Sequence, residues 1–320
     1  MRILIAGSFG YFGLALTRRL AQEHELFLSG RPGRVPGCHA PLSTGSAVVK
    51  NVGSVQGLTK WTCADAEAIV HLAGGGAPGG QSVDAAAALR DNVESAVHVA
   101  SVAPPGARLL LASTIYVYGT GSRPFTERDT PRPDTLYGQL KAVAEAVWRQ
   151  HGGSALRFSH IYGVGSGVDL KRDGVTERLA HAATGGAPFT MHGDGSQRID
   201  LVHIDDACEA VALALRAPEL PPALNVSGGA PVMVRDLAEV FGVRPVLTSA
   251  EPRSDAARLR SLATQAPGAY GELRAMDCAL AAEVLGWKPQ VALAEGARDL
   301  IEMSLRAQSK SGVRRDGHPD

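Results

Sequence analysis

The chain has 320 residues, 45% hydrophobic and 20% charged, the composition of a globular protein. Lysine plus arginine and aspartate plus glutamate each number 32, so there is no net charge to draw the chain to nucleic acid or an anionic membrane. No run approaches the roughly 18 apolar residues of a membrane span, and the opening MRILIAGSFG meets glycine too early for a signal peptide. Cys38, Cys63, Cys208 and Cys278 form no C-x-x-C pair; they read as reduced thiols of a cytoplasmic protein, with no metal site expected.

In chain order, RILIA (2–6) is a short apolar strand ending in glycine, and LALTRRLAQEH (14–24) follows with helical spacing. ELFLSG (25–30), SAVVKNV (46–52) and AEAIVHLAG (66–74) are the next three strands, and 83–103 is a long helix. ARLLLAST (107–114) is a fifth strand, 135–147 a helix, and SALRFSHIYG (154–163) a sixth strand. Strands that are apolar throughout and alternate with helices predict a parallel sheet covered on both faces, a doubly wound α/β Rossmann fold. Beyond about 165 the pattern loosens: helix 174–184, strand and turn 188–197, a strand entering a helix over 198–217, strand 223–229, then mostly short helices. The expected division is a nucleotide domain of 1–165 plus 190–225, a smaller, mostly helical substrate domain of 166–189 and 226–306, and a mobile tail, 307–320.

GSFGYFG places Gly7, Gly10 and Gly13 between the first strand and its helix, where glycine permits a tight turn and close approach of a pyrophosphate. The N–H groups of Tyr11 and Phe12 would face the phosphates at the helix N-terminus. An acid ending the second strand would bind a ribose 2′-hydroxyl; here FLSGRPGR offers Ser29, Arg31 and Arg34, which suits a 2′-phosphate, although Arg31 also reads as a solvated loop residue. Asn51 is an adenine contact or a turn asparagine. Tyr137 and Lys141, in TLYGQLKAVAEAV, share one helix face at i and i+4, where a cation lowers a phenol's pKa. Alone, that pair also reads as an ordinary aromatic and an ordinary amine.

GSFGYFG, VHLAG, LLLASTIYVYG, YGQLK, ALRFSHIYG, GDGSQRIDLVHIDD, LNVSGG and LGWKP, in that order over about 1–305, resemble the extended short-chain dehydrogenase/reductases, in particular the NAD(P)-dependent sugar epimerase/dehydratase family. The resemblance implies Thr114, Tyr137 and Lys141 as catalytic residues, Thr114 holding the substrate oxygen, with Ser113 its weaker neighbour. It implies cofactor contacts from the glycine loop, Arg31, Asn51, Val52, Leu72, Ala73, Gly74, Tyr137 and Lys141, with NADP(H) favoured over NAD(H). Substrate contacts fall to Thr114, His160 and Arg198, the substrate being a nucleotide-activated sugar; a homodimer is compatible with all of this.

The chain departs from the family pattern in three respects. Ile115 and Tyr116 stand where dehydratases carry Asp-Glu, so no dehydratase is expected. His160 replaces an asparagine. Ile199 replaces an arginine, with Arg198 turned to the other face of its strand. The leading expectation is a ketoreductase; the alternatives are an epimerase retaining NAD, reduction of a non-sugar carbonyl, and a non-catalytic redox-sensing binder. Asp205 and Asp206 read as helix N-terminal caps, His71 and His203 as core histidines, Asn92 as a site scaffold or a surface asparagine, and Trp287 as packing the C-terminal domain.

Overall fold

The structure, a computed structural model, describes residues 1–30, 49–74, 84–165, 174–248 and 274–312. Its centre is a seven-stranded sheet built from β1 (Arg2–Ala6), β2 (Glu25–Ser29), β3 (Val49–Asn51), β4 (Ala68–His71), β5 (Arg108–Thr114), β6 (Ser154–Phe158) and an edge strand, Ala223–Val226. The order is edge, β6, β5, β4, β1, β2, β3, and every pairing is parallel. The chain runs from β1 outward to β3 and then returns to β4 on β1's other side. That reversal opens a crevice at the carboxyl ends of β1 and β4, where such sheets bind ligands.

Neighbouring strand residues point to opposite faces, which is why these strands are apolar throughout. Ile3, Ile5, Val70, Leu110 and Leu156 enter one core with the helices Tyr11–Leu20 and Ile204–Arg216. Leu4, Ile69, Leu109 and Leu111 enter the other with Val99 and Trp148. A third core, around Leu179, Phe189, Met191, Leu237, Phe241 and Leu300, gathers the helices Val175–Ala183, Val234–Val240 and Leu293–Gly312.

Three elements differ from expectation. The sixth strand is not continuous. It leaves the sheet at Ser159, and His160–Tyr162 pairs instead with Leu201–His203 in a separate two-stranded sheet. The helix at 83–103 is α-helical over Ala85–Leu89 and Ser95–Val102 but takes a π-helical turn at Arg90–Glu94. Such turns are common at functional sites, and this one contains the buried Asn92, whose Nδ2 donates to the Ala88 carbonyl. The expected tail is helical to residue 312, because Gln308 Nε2 donates to Thr184 Oγ1 at 2.8 Å and holds the last turns against the third core.

Candidate active site

Gly7 has φ of +94°, and a Cβ there would stand 2.6 Å from the Ala73 nitrogen, so only glycine fits between the ends of β1 and β4. A Cβ on Gly13 would lie 2.3 Å from the Gly7 carbonyl oxygen. The helix therefore starts tight against its own loop. First-turn N–H groups have no intrahelical acceptor, and this turn carries no acid and no side-chain cap at Gly10. A diphosphate fits it. The Tyr11 side chain turns away, its hydroxyl donating to the Gly163 carbonyl at 2.6 Å.

Ser29, fully buried, closes β2 with an Oγ that has no hydrogen-bond partner, and the Phe9 ring lies against Gly30. Arg31 and Arg34 lie outside the described residues. Asn51 Oδ1 accepts from the Gly53 N–H at 2.9 Å, the turn role. Val52 continues β3, its N–H donating to the Leu28 carbonyl, and Leu72 and Ala73 both donate N–H groups to the Ala6 carbonyl. Gly74 lies where a Cβ would meet Asn92 Oδ1 at 2.8 Å and Lys141 Nζ at 2.9 Å. Asn92, on the π-turn, and Lys141 thus both flank Gly74.

The Leu136–Gln150 helix is capped by Thr135, whose hydroxyl accepts from the Gly138 N–H at 3.1 Å. Its buried stripe, Gly138, Lys141, Ala144, Glu145 and Trp148, has helical spacing. Tyr137 is half-buried at the head of that stripe, and Lys141 Nζ lies 5.9 Å from its ring centre. The ammonium donates to the Ala112 carbonyl at 3.1 Å, and burial pulls it down to about 8, with Glu145 opposing.

Thr114 ends β5 and caps the short turn Ile115–Val117, its Oγ1 accepting from the Tyr116 N–H at 3.3 Å. Its hydroxyl proton remains to donate to a substrate oxygen. Ser113 points to the opposite face, where its hydroxyl donates to Glu145; it is no rival to Thr114.

Tyr116 and Tyr137 meet edge to face, ring centres 6.2 Å apart. Tyr116 Oη lies 3.0 Å from His160 Nε2, and His160 Nδ1 lies 3.0 Å from the Asp200 carbonyl. A carbonyl only accepts, so Nδ1 carries the proton and, in the neutral imidazole, Tyr116 donates to Nε2. Two of the positions that depart from the family pattern, Tyr116 and His160, thus contact each other.

Arg198 is exposed on the Arg198–Ile199 ribbon, opposite Met233. The cation that does reach this wall is Arg274. Its guanidinium lies 4.7 Å over the Tyr116 ring, one nitrogen bonded to Asp134 and Nη1 buried without a partner. Sequence reasoning missed it, since it stands in a stretch without periodicity.

Of the residues read as structural, His71 and His203 are buried. His203 itself caps the helix Ile204–Arg216, while the Asp206 carboxylate accepts from the N–H groups of Gln290 and Val291, so Asp206 clamps the C-terminal segment. Trp287 is buried in the sheet's own core, its Nε1 donating to the Asp206 carbonyl.

A parallel sheet with a glycine loop at its crevice, facing a Thr, Tyr and Lys set, defines a nicotinamide dinucleotide enzyme fold of the short-chain dehydrogenase/reductase kind. The chain belongs to the NAD dependent epimerase/dehydratase family, which matches residues 3–227. It is 24% identical to a dTDP-L-rhamnose 4-epimerase of Burkholderia thailandensis, covering 93% of both chains. It is 29% identical to a dTDP-6-deoxy-L-talose 4-dehydrogenase (NAD(P)(+)) of Kitasatospora kifunensis, over 93% of this chain and 94% of the relative. A dTDP-glucose 4,6-dehydratase of Xanthomonas campestris is 26% identical over 63% of this chain and 59% of its own. Among solved structures, MoeE5 in complex with UDP-glucuronic acid and NAD superposes with a TM-score of 0.78 at 24% identity, covering 96% of this chain and all of that one. No helix among the described residues is long and apolar enough to cross a membrane.

Proposed function

We propose that the chain is a nucleotide-sugar ketoreductase that uses NADPH. The observation that carries this reading is Lys141, buried on the Ala112 carbonyl and set against Tyr137, at the end of the strand that presents Thr114. The bound cofactor supplies the hydride. Thr114 donates a hydrogen bond to the substrate oxygen, Tyr137 passes it a proton, and the Lys141 ammonium stabilises the phenolate that remains. The dehydrogenase relative, named for both NAD and NADP, supports oxidoreduction at a sugar carbinol. The intact tyrosine and lysine count against a redox-sensing binder. Elimination of water has no evident base, because Ile115 is apolar and burial pushes the Tyr116 phenol up.

The cofactor preference rests on the missing carboxylate after β2. One guanidinium–phosphate contact from Arg31 contributes about 1.5–3 kcal/mol, roughly ten- to a hundredfold for NADPH over NADH. A panel of nucleotide sugars and ketosugars, followed at the nicotinamide absorbance with both cofactors and with Arg31→Ala, tests the reading. Net NADPH oxidation supports it. The 4-epimerase relative favours a second reading, an epimerase; NAD that co-purifies stoichiometrically, with no net absorbance change, would establish that one instead. A 4-keto-6-deoxy product would show a dehydratase.

A further inference from the structure

A buried polar network lies beneath the Tyr137 helix, and the proposed chemistry leaves it unused. Glu145 follows Lys141 by one helical turn and is 8% exposed. Its carboxylate accepts from the Ser113 hydroxyl and from Arg157, Nε at 3.0 Å and Nη2 at 2.6 Å. Arg157, reaching in from β6, donates through Nη1 to Tyr118 Oη at 2.7 Å, and Tyr118 donates to Asn225 Oδ1 at 2.8 Å.

Three consecutive residues of β5 therefore serve the site. Ala112 accepts from Lys141, Ser113 donates to Glu145, and Thr114 faces the substrate. Because adjacent strand residues alternate faces, a slip of one residue between helix and strand would break all three together. We propose that Glu145 is a positioning residue for the reaction: through Ser113 it fixes the Tyr137 helix on β5, and one helical turn from Lys141 it supplies the countercharge to the ammonium. This rests on Tyr137 and Lys141 being the proton-transfer pair.

The surrounding groups leave that task to Glu145. His71, at the end of β4, is held neutral by burial at about 3. Arg157, from β6, adds positive charge behind the carboxylate, and Tyr118 is pushed up to about 12. Tyr137 is the phenol being tuned. Glu145 is the group that opposes the desolvation of Lys141.

Glu145→Gln alone strands the Arg157 guanidinium in the core and risks misfolding. The double variant Glu145→Leu with Arg157→Met removes both charges, a replacement that is often neutral for stability. Ser113→Ala keeps both charges and removes only the hydroxyl that aims the carboxylate. The readout is the tyrosinate absorbance titration of Tyr137, taken as each protein minus its Tyr137→Phe counterpart, which needs no substrate. The folded double variant is expected to raise the Tyr137 midpoint by about 1 pH unit, the effect of a nearby cation lost; Ser113→Ala is expected to raise it by less. The alkaline shift should recur in the pH profile of turnover. An unchanged midpoint in both variants overturns the proposal and leaves Glu145 a structural ion pair. Should Tyr137→Phe keep full turnover, the ketoreductase mechanism fails while the titration still decides the role of Glu145.

Discussion

Gly138→Ala asks whether the phenol owes its place to the contact between its helix and the turn after β5. A Cβ at 138 would stand 2.3 Å from the Tyr116 carbonyl oxygen, 2.9 Å from its carbon and 3.0 Å from Pro133 Cβ. Side-chain carbons keep at least 3.0 Å, so the helix start must retreat by at least 0.7 Å. The turn cannot yield instead. Thr114 holds the Tyr116 N–H, the Tyr118 N–H donates to Ile115, and His160 holds the Tyr116 hydroxyl. Forcing a methyl into a filled contact costs about 1–3 kcal/mol. Displacing a reacting group by about 1 Å costs about 10²-fold in rate. Turnover should therefore fall about a hundredfold and the melting temperature by a few degrees. Cofactor affinity, proposed to rest mainly on the glycine loop far from this contact, should stay within a few-fold. Turnover, a cofactor fluorescence titration and thermal unfolding measure the three. Full turnover at unchanged stability would show that this contact does not position Tyr137.

Tyr137→Phe should lower turnover by about 10²–10⁴-fold with cofactor affinity within a few-fold; a mutant keeping more than about a tenth of the rate, with chemistry limiting, would exclude Tyr137 as the acid. His71 and Asp200 should give acid stability profiles of opposite sign. Burial holds folded His71 at about 3 while the unfolded side chain protonates near 6.5, so its contribution is present above about 6.5 and lost as pH falls towards 3. Burial raises Asp200 to about 6, so the folded state binds that proton first and stability rises as pH falls from about 6 towards 4. In chemical unfolding between pH 4 and 6, His71→Gln should flatten the acid loss and Asp200→Asn should steepen it; matching slopes in all three proteins would contradict both. Asp206→Ala should cost about 1–3 kcal/mol by orphaning the N–H groups of Gln290 and Val291, and an unchanged melting temperature would argue against that clamp.

Local chemistry made the sheet, the glycine loop and the Tyr137 helix legible. Apolar strands, glycines at the strand end and an i, i+4 pair each act through neighbours in sequence. What stayed hidden depends on partners far along the chain. Phe158 to Tyr162 reads as one strand, yet the Asp200 carbonyl takes the His160 N–H and draws His160–Tyr162 out of the sheet. Nothing near Asn92 marks a π-turn, and nothing near Arg274 marks a cation that will cover Tyr116. Asp206 looks like a cap because it opens a helix, but its acceptors are spent on residues more than eighty positions later.

That long-range clamping bears on how the molecule comes apart. The segment beginning at Arg274 supplies hydrogen-bond partners to three buried groups on the sheet side: the Met276 N–H donates to Asp200, those of Gln290 and Val291 donate to Asp206, and the Asp277 carbonyl accepts from Asn225. Removing the segment would leave Asp200 and Asp206 with unmet acceptors inside the protein, which is costly. The nucleotide-binding half is thus not a self-sufficient folding unit. Heating should produce one transition rather than two, and a nascent chain should gain protease resistance only after the segment from Arg274 to Val291 emerges.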